Sequence, residues 1–125
     1  MTNESPNKKS PKRFDLEDRT FNFARECRDF VKLIPKSLLN IDYCKQLLRS
    51  SSSTASNYIE ANESISRKDF FHRIRICRKE AKESYMWLKL IDIEDPKLEK
   101  LVEKLSGEGM ELTKIFGKIQ ESDKN

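Results

Sequence analysis

Along most of this chain, apolar and small side chains return in alternating steps of four and three residues. That spacing puts them on one face of an α-helix. Leu16, Thr20, Phe23, Cys27, Phe30 and Ile34 form the first stripe. It predicts a helix from about Leu16 to Leu33, with Asp15, Glu17 and Asp18 at the end where the helix dipole favours negative charge. Pro35 stops it, because proline disfavours a helical residue before itself and has no N–H to continue the ladder. Composition alone makes residues 50–56 a serine-rich linker, but Cys44, Leu48, Ser51, Ala55, Tyr58 and Asn62 keep the four-three step straight through them. The second helix therefore begins near Ser37 or Asn40, either of which can cap it, and ends near Asn62. Ser66-Arg67-Lys68-Asp69 is a capping-box-like start for a third helix striped by Phe70, Ile74, Cys77, Ala81, Ser84, Leu88 and Ile91. Asp95-Pro96 supplies a cap and a first-turn proline for a fourth, with Leu98, Val102, Leu105, Gly109, Leu112, Phe116 and Ile119 on its stripe. Gly107 and Gly109 each cost that helix about 1 kcal/mol relative to alanine, which points to a kink or a close helix contact there.

Four stripes with short connections give an all-α fold, an antiparallel up-down-up-down four-helix bundle. No stretch reads as a strand. The bundle should occupy residues 15–121. Residues 1–14 carry Lys8, Lys9, Lys12, Arg13 and two prolines, and read as a disordered basic arm, either a solubilising tail or a phosphate contact. Residues 122–125 should fray.

Composition narrows the class. A chain of 125 residues is one domain, large enough for a core without disulfides or metals. Hydrophobic residues make up 36% and charged residues 37%, which suits helices with narrow apolar stripes and solvated outer faces. The net charge of +4 permits anionic partners without requiring them. Cys27, Cys44 and Cys77 are an odd, widely spaced set, expected to be reduced thiols on core stripes in a cytoplasmic protein. No apolar run approaches the length of a membrane span, and the N-terminus lacks the apolar region of a secretory signal.

The hairpin of the second and third helices fixes which residues meet. With its turn near Ser64 and Ile65, Arg49 stands level with Glu80, and Asn57 level with His72 and Arg73. Arg49 is expected to pair with Glu80 or Glu83, a structural inter-helix contact that fixes register. Ser53 and Asn57 fall near the same interface, and the small residues there let a neighbouring helix or subunit approach closely. On the third helix, Lys68, Arg75, Lys79, Lys82 and Lys89 fall in one stripe opposite the core, with Arg78 beside it and Phe71 and Met86 within or near it. Asp69, Glu80 and Glu83 collect on the other flank. A basic stripe with an interleaved aromatic suits a phosphate-tracking surface, and a solvated helix face is the plainer alternative.

Catalytic chemistry finds no purchase. His72 is the one histidine, and Asp69 three residues before it only echoes the paired carboxylate–histidine motifs of di-iron bundles. Both lie off the core stripe. No serine or cysteine sits in a recognisable nucleophile motif. No catalytic residue, metal or cofactor is therefore assigned. Trp87, Tyr85, Tyr58 and Phe71 are large core contacts or subunit anchors.

Arg19-Thr20-Phe21 with Phe23-Ala24, Gln46-Leu47-Leu48-Arg49-Ser50, Ser53, Asn57-Tyr58 and Ala61 carry a resemblance. It continues through Ser66-Arg67-Lys68-Asp69-Phe70, Lys79-Glu80-Ala81, Glu83-Ser84 and Trp87-Leu88. In order and spacing they resemble the bacterial four-helix bundle family of proteins encoded by intervening sequences in large-subunit ribosomal RNA genes, over roughly residues 17–120. Thr54-Ala55 stands where that family usually has Ile-Gly. The resemblance implies a bundle that assembles into a ring-shaped homopentamer. It also implies a distant likeness to the accessory protein of diversity-generating retroelements, which partners a reverse transcriptase and its RNA through a basic surface. It implies no catalytic residue. The expectation is a non-enzymatic oligomer that acts as an accessory or scaffold for RNA or DNA and a nucleic-acid-processing protein. The alternative is a protein-interaction or regulatory module with no nucleic-acid contact.

Overall fold

The structure, a computed structural model, describes residues 12–124. Four helices account for most of them: α1 (Lys12–Leu33), α2 (Leu38–Asn62), α3 (Arg67–Leu90) and α4 (Pro96–Glu121). Residues 1–11 of the expected arm lie outside the described residues, while residues 12–14 belong to α1. Nothing between Pro11 and Pro35 interrupts a helix, so α1 starts before its first core residue. After α4 comes a single turn of 3-10 helix, Ser122–Lys124, where the sequence predicts fraying.

Each helix starts where its local chemistry permits. The Ser37 hydroxyl accepts from the Asn40 N–H at 3.2 Å, the Ser66 hydroxyl from Asp69 N–H at 3.1 Å, and the Asp95 carboxylate from Lys97 N–H at 2.9 Å, with Pro96 next. These bonds satisfy amides that have no partner inside a helix. At the end of α1, the Lys36 ammonium donates to the carbonyls of Val31 (3.1 Å) and Ile34 (2.8 Å).

All six stripe residues of α1 are buried. In α2 the buried row is Asn40, Cys44, Leu47, Ser51, Thr54, Tyr58 and Ala61, with Ser50 and Asn57 beside it. Leu48, Ala55 and Asn62, placed on the core stripe by spacing, are only half-buried. The stripe is rotated because α2 packs on both α1 and α3, so its centre points between them. In α3, Phe71 is buried and Phe70 half-buried, the reverse of the expected assignment. There the helix start meets the end of α4: the Arg67 guanidinium reaches Asp123 at 3.3 Å and lies 5.0 Å over the Phe71 ring. In α4, Leu105, Gly109, Leu112 and Phe116 are buried, while Leu98, Val102 and Ile119 are half-buried.

Neighbouring helices run antiparallel. Arg49 meets Glu80 and Asn57 meets Arg73 across α2–α3, and Asn62 meets Glu17 across α1–α2. Arg67 meets the Ser122 carbonyl across α3–α4. The bundle closes where α1 and α4 meet at a bidentate pair, Arg19 with Glu108, at 2.8 and 3.0 Å. α2–α3 is the most extensive interface and α1–α4 the thinnest. Gly109 faces α1 and α3: a Cβ there would stand 3.4 Å from the Phe23 ring and 3.6 Å from the Ala81 carbonyl and Tyr85 Cβ, ordinary contact distances that an alanine could also make. Gly107 faces open space, so its cost to α4 gains no packing in return.

Asn40 does not cap α2. Its buried amide donates to the carbonyls of Pro35 (3.1 Å) and Asp92 (2.8 Å) and accepts from the Asp92 N–H (2.8 Å). One side chain thereby holds the α1–α2 loop and the α3–α4 loop together. Asn40→Ala removes three hydrogen bonds made from a buried position between the two loops and is expected to lower the unfolding free energy by about 1–3 kcal/mol. Urea denaturation reads this as a lower midpoint with an unchanged slope.

Candidate nucleic-acid interface

α3 is an uninterrupted helix of 24 residues, and its sequence sorts charge by face. Lys68, Arg75, Arg78, Lys79, Lys82 and Lys89 are all exposed. Lys68, Arg75, Lys79 and Lys82 make no hydrogen bond or ion pair among the described residues. Lys89 lies 5.9 Å over the Tyr85 ring. Arg78 lies along Gly117 of α4, 3.5 Å from where a Cβ would be, and makes a long 3.5 Å contact with Gln120. Met86 and His72 are exposed on this face as well. Phe71, expected in the stripe, is withdrawn from it: its ring packs edge-on against Phe70 at 5.0 Å under the Arg67 guanidinium. Lys114 and Lys118 of α4, which sequence reading passed over, are exposed on either side of Gly117.

Two of the three carboxylates of α3 face the other way. Arg49 Nη1 stands 3.1 Å from Glu80 and Nη2 3.0 Å from Glu83, and Gln46 accepts from Nε at 3.2 Å. The Glu80 side chain is 8% exposed and is met by Arg49, itself half-exposed. The third carboxylate, Asp69, is exposed at the helix start. Two turns further along, Asn57 accepts from Arg73 at 2.9 Å and donates to the carbonyl and hydroxyl of Ser53. Beside the Arg49 contact the Ser84 hydroxyl donates to the Glu80 carbonyl at 2.9 Å and so accepts from Ser50 at 2.7 Å.

The remaining chemistry-bearing residues form no constellation. Burial pushes the Cys27 and Cys77 thiols up to about 12 and raises that of Cys44, which keeps all three protonated at neutral pH. Cys77 donates to the Thr54 carbonyl at 3.6 Å. Trp87 packs 6.0 Å from Tyr43. A groove of about 420 Å³ between α1 and α4 is lined by Arg19, Glu26, Lys104, Glu108 and Glu111, and its arginine is bound to Glu108. Among the described residues no three His, Cys, Asp or Glu side chains are grouped to hold a metal ion. No helix among the described residues is long and apolar enough to cross a membrane.

The profile of the 23S rRNA-intervening sequence proteins matches residues 12–118. The chain belongs to this family. Among solved structures it is similar to a protein of unknown function from the S23 ribosomal protein family of Bacteroides thetaiotaomicron VPI-5482. The two are 26% identical, with a TM-score of 0.77 over 89% of this chain and 99% of that one. No curated protein matches. The 23S rRNA-intervening sequence protein family thus accounts for the four helices and leaves the chemistry of their faces to be read from this chain.

Arg49→Met leaves Glu80 without a cation and is expected to destabilise the bundle by about 1–3 kcal/mol. Adding Glu80→Leu to it should recover most of that loss in thermal unfolding, because the stranded carboxylate is then gone. A purely additive second loss would show that the two residues do not interact.

Proposed function

We propose that this protein is a non-enzymatic, self-associating bundle that acts in the cytoplasm as an accessory or scaffold for nucleic acid through the outer face of α3. The observation that carries this reading is the segregation of charge on one helix: Arg49 occupies Glu80 and Glu83, while Lys68, Arg75, Lys79 and Lys82 have no partner among the described residues. Unpaired cations on a rigid helix attract phosphates and release the counterions condensed on them, and that release drives binding. The name of the family, tied to intervening sequences of 23S rRNA, supports RNA as the first ligand to try. Affinity for RNA should fall steeply as salt rises, and Lys79→Glu with Lys82→Glu should abolish binding while leaving the melting temperature within a few degrees. Retained affinity in that double variant removes α3 as the site.

The second reading is a protein-interaction or regulatory module without nucleic acid. It is favoured by the apolar side chains that crowd the end of the bundle holding the α1–α2 and α3–α4 loops. Leu33, Leu38, Leu39 and Leu90 are exposed there, Leu38 to 87%. Burying such side chains is what an assembled ring, of five copies as in the resemblance, or a protein partner accomplishes. Solution mass by light scattering, at low and high salt and with and without RNA, separates the readings. A salt-resistant oligomer that ignores RNA supports the module, and a monomer at every concentration removes the ring.

A further inference from the structure

We propose that the α3 face takes the backbone of a duplex, double-stranded RNA or DNA, in preference to a single strand; this rests on the nucleic-acid reading above and narrows it. Proteins that hold single strands combine positive charge with aromatic rings on which successive bases stack. This face has the charge without the rings. Phe71 is buried beneath Arg67, Tyr85 is half-buried with Lys89 over it, and only the His72 imidazole is open. A splayed strand would meet one open ring, His72, and guanidinium planes among the ammonium groups, without a row of aromatic platforms for successive bases.

The geometry suits a partner whose phosphates are already fixed in place. At 1.5 Å per residue, Lys68 to Lys89 spans about 31 Å. That is close to one turn of a duplex, about 34 Å. The row is held by a continuous helix, so its spacing is set before the ligand arrives, and a duplex matches it without being ordered first. A second row lies alongside. Arg78 is seated against Gly117 and reaches Gln120, and Lys114 and Lys118 are exposed on the outer side of that contact, about 60° and 100° round α4 from Gly117 at 100° per residue. Packed helix axes stand about 8–10 Å apart, which lets α3 and α4 address two strands from one surface. Glu111 and Glu121, both exposed, bound the α4 row at either end. α3 contains no asparagine or glutamine. The amides that pair with adenine edges are therefore missing from α3, and its lysines are suited to tracking the backbone.

Fluorescence anisotropy with labelled RNA and DNA duplexes of about 20 base pairs, and with their separated strands, tests this. The duplexes should bind at least roughly tenfold more tightly than either strand at equal salt, and scrambling the sequence should change affinity by less than about twofold. The stronger of the two duplexes identifies the natural source of the backbone. Lys114→Glu with Lys118→Glu should weaken duplex binding about threefold or more and leave the weak single-strand binding unchanged. Single strands that bind as tightly as duplexes overturn this inference and leave the nucleic-acid reading standing. Failure of every nucleic acid to bind overturns both. Duplex binding untouched by the α4 variant overturns the two-row geometry.

Discussion

The close contact between α2 and α3 is the constraint on which the rest of the bundle depends. A helix can approach another this closely only where its side chains are small, and small side chains offer little apolar surface. α2 resolves the conflict with hydroxyls. Ser50 and Thr54 are completely buried, and the Thr54 hydroxyl returns to the Ser50 carbonyl four residues back. Ser50 and Ser84 then meet across the interface at 2.7 Å. No hydroxyl in the seam is left without a partner, which is the condition for burying polar groups there at all. The longer polar contacts, Arg49 with Glu80 and Asn57 with Arg73, sit beside this seam and hold its register.

The same seam shows what the sequence reveals and what it hides. Periodicity finds all four helices and every core residue of α1, since Leu16, Phe23, Cys27, Phe30 and Ile34 are apolar on a single face. It misplaces half of the α2 row. Serine, threonine and alanine carry almost no contrast between faces, so Leu48 and Ala55 fit a four-three pattern as well as Leu47 and Thr54 do. Only the positions of two neighbouring helices decide between them. Phe70 and Phe71 are a similar case, adjacent and chemically alike, with the end of α4 choosing which is covered. Arg49 was legible because hairpin register is arithmetic once the turn is placed. Asn40 was not: its partner, Asp92, lies 52 residues away in a loop whose path no local pattern specifies.

The charge on α3 is a product of packing as much as of composition. The helix carries carboxylates as well as cations, and its spacing already sets Glu80 and Glu83 on the flank away from the lysines. Folding turns Glu80 and Glu83 toward α2, where Arg49 meets them both, and leaves the lysines outside. The long-range field of the protein is therefore fixed by a contact on the opposite flank from the surface that projects it.

Asn40 carries a mechanical consequence. α2 and α3 are joined by the chain at one end and by this single amide at the other, so they form a closed frame whose long sides cannot splay. α1 and α4 hang from that frame as covers from a spine, meeting each other along the thinnest interface. Breathing of the bundle is thereby steered to the seam between the covers, where little apolar surface has to separate. The rungs of charge along the spine keep their spacing while the covers move.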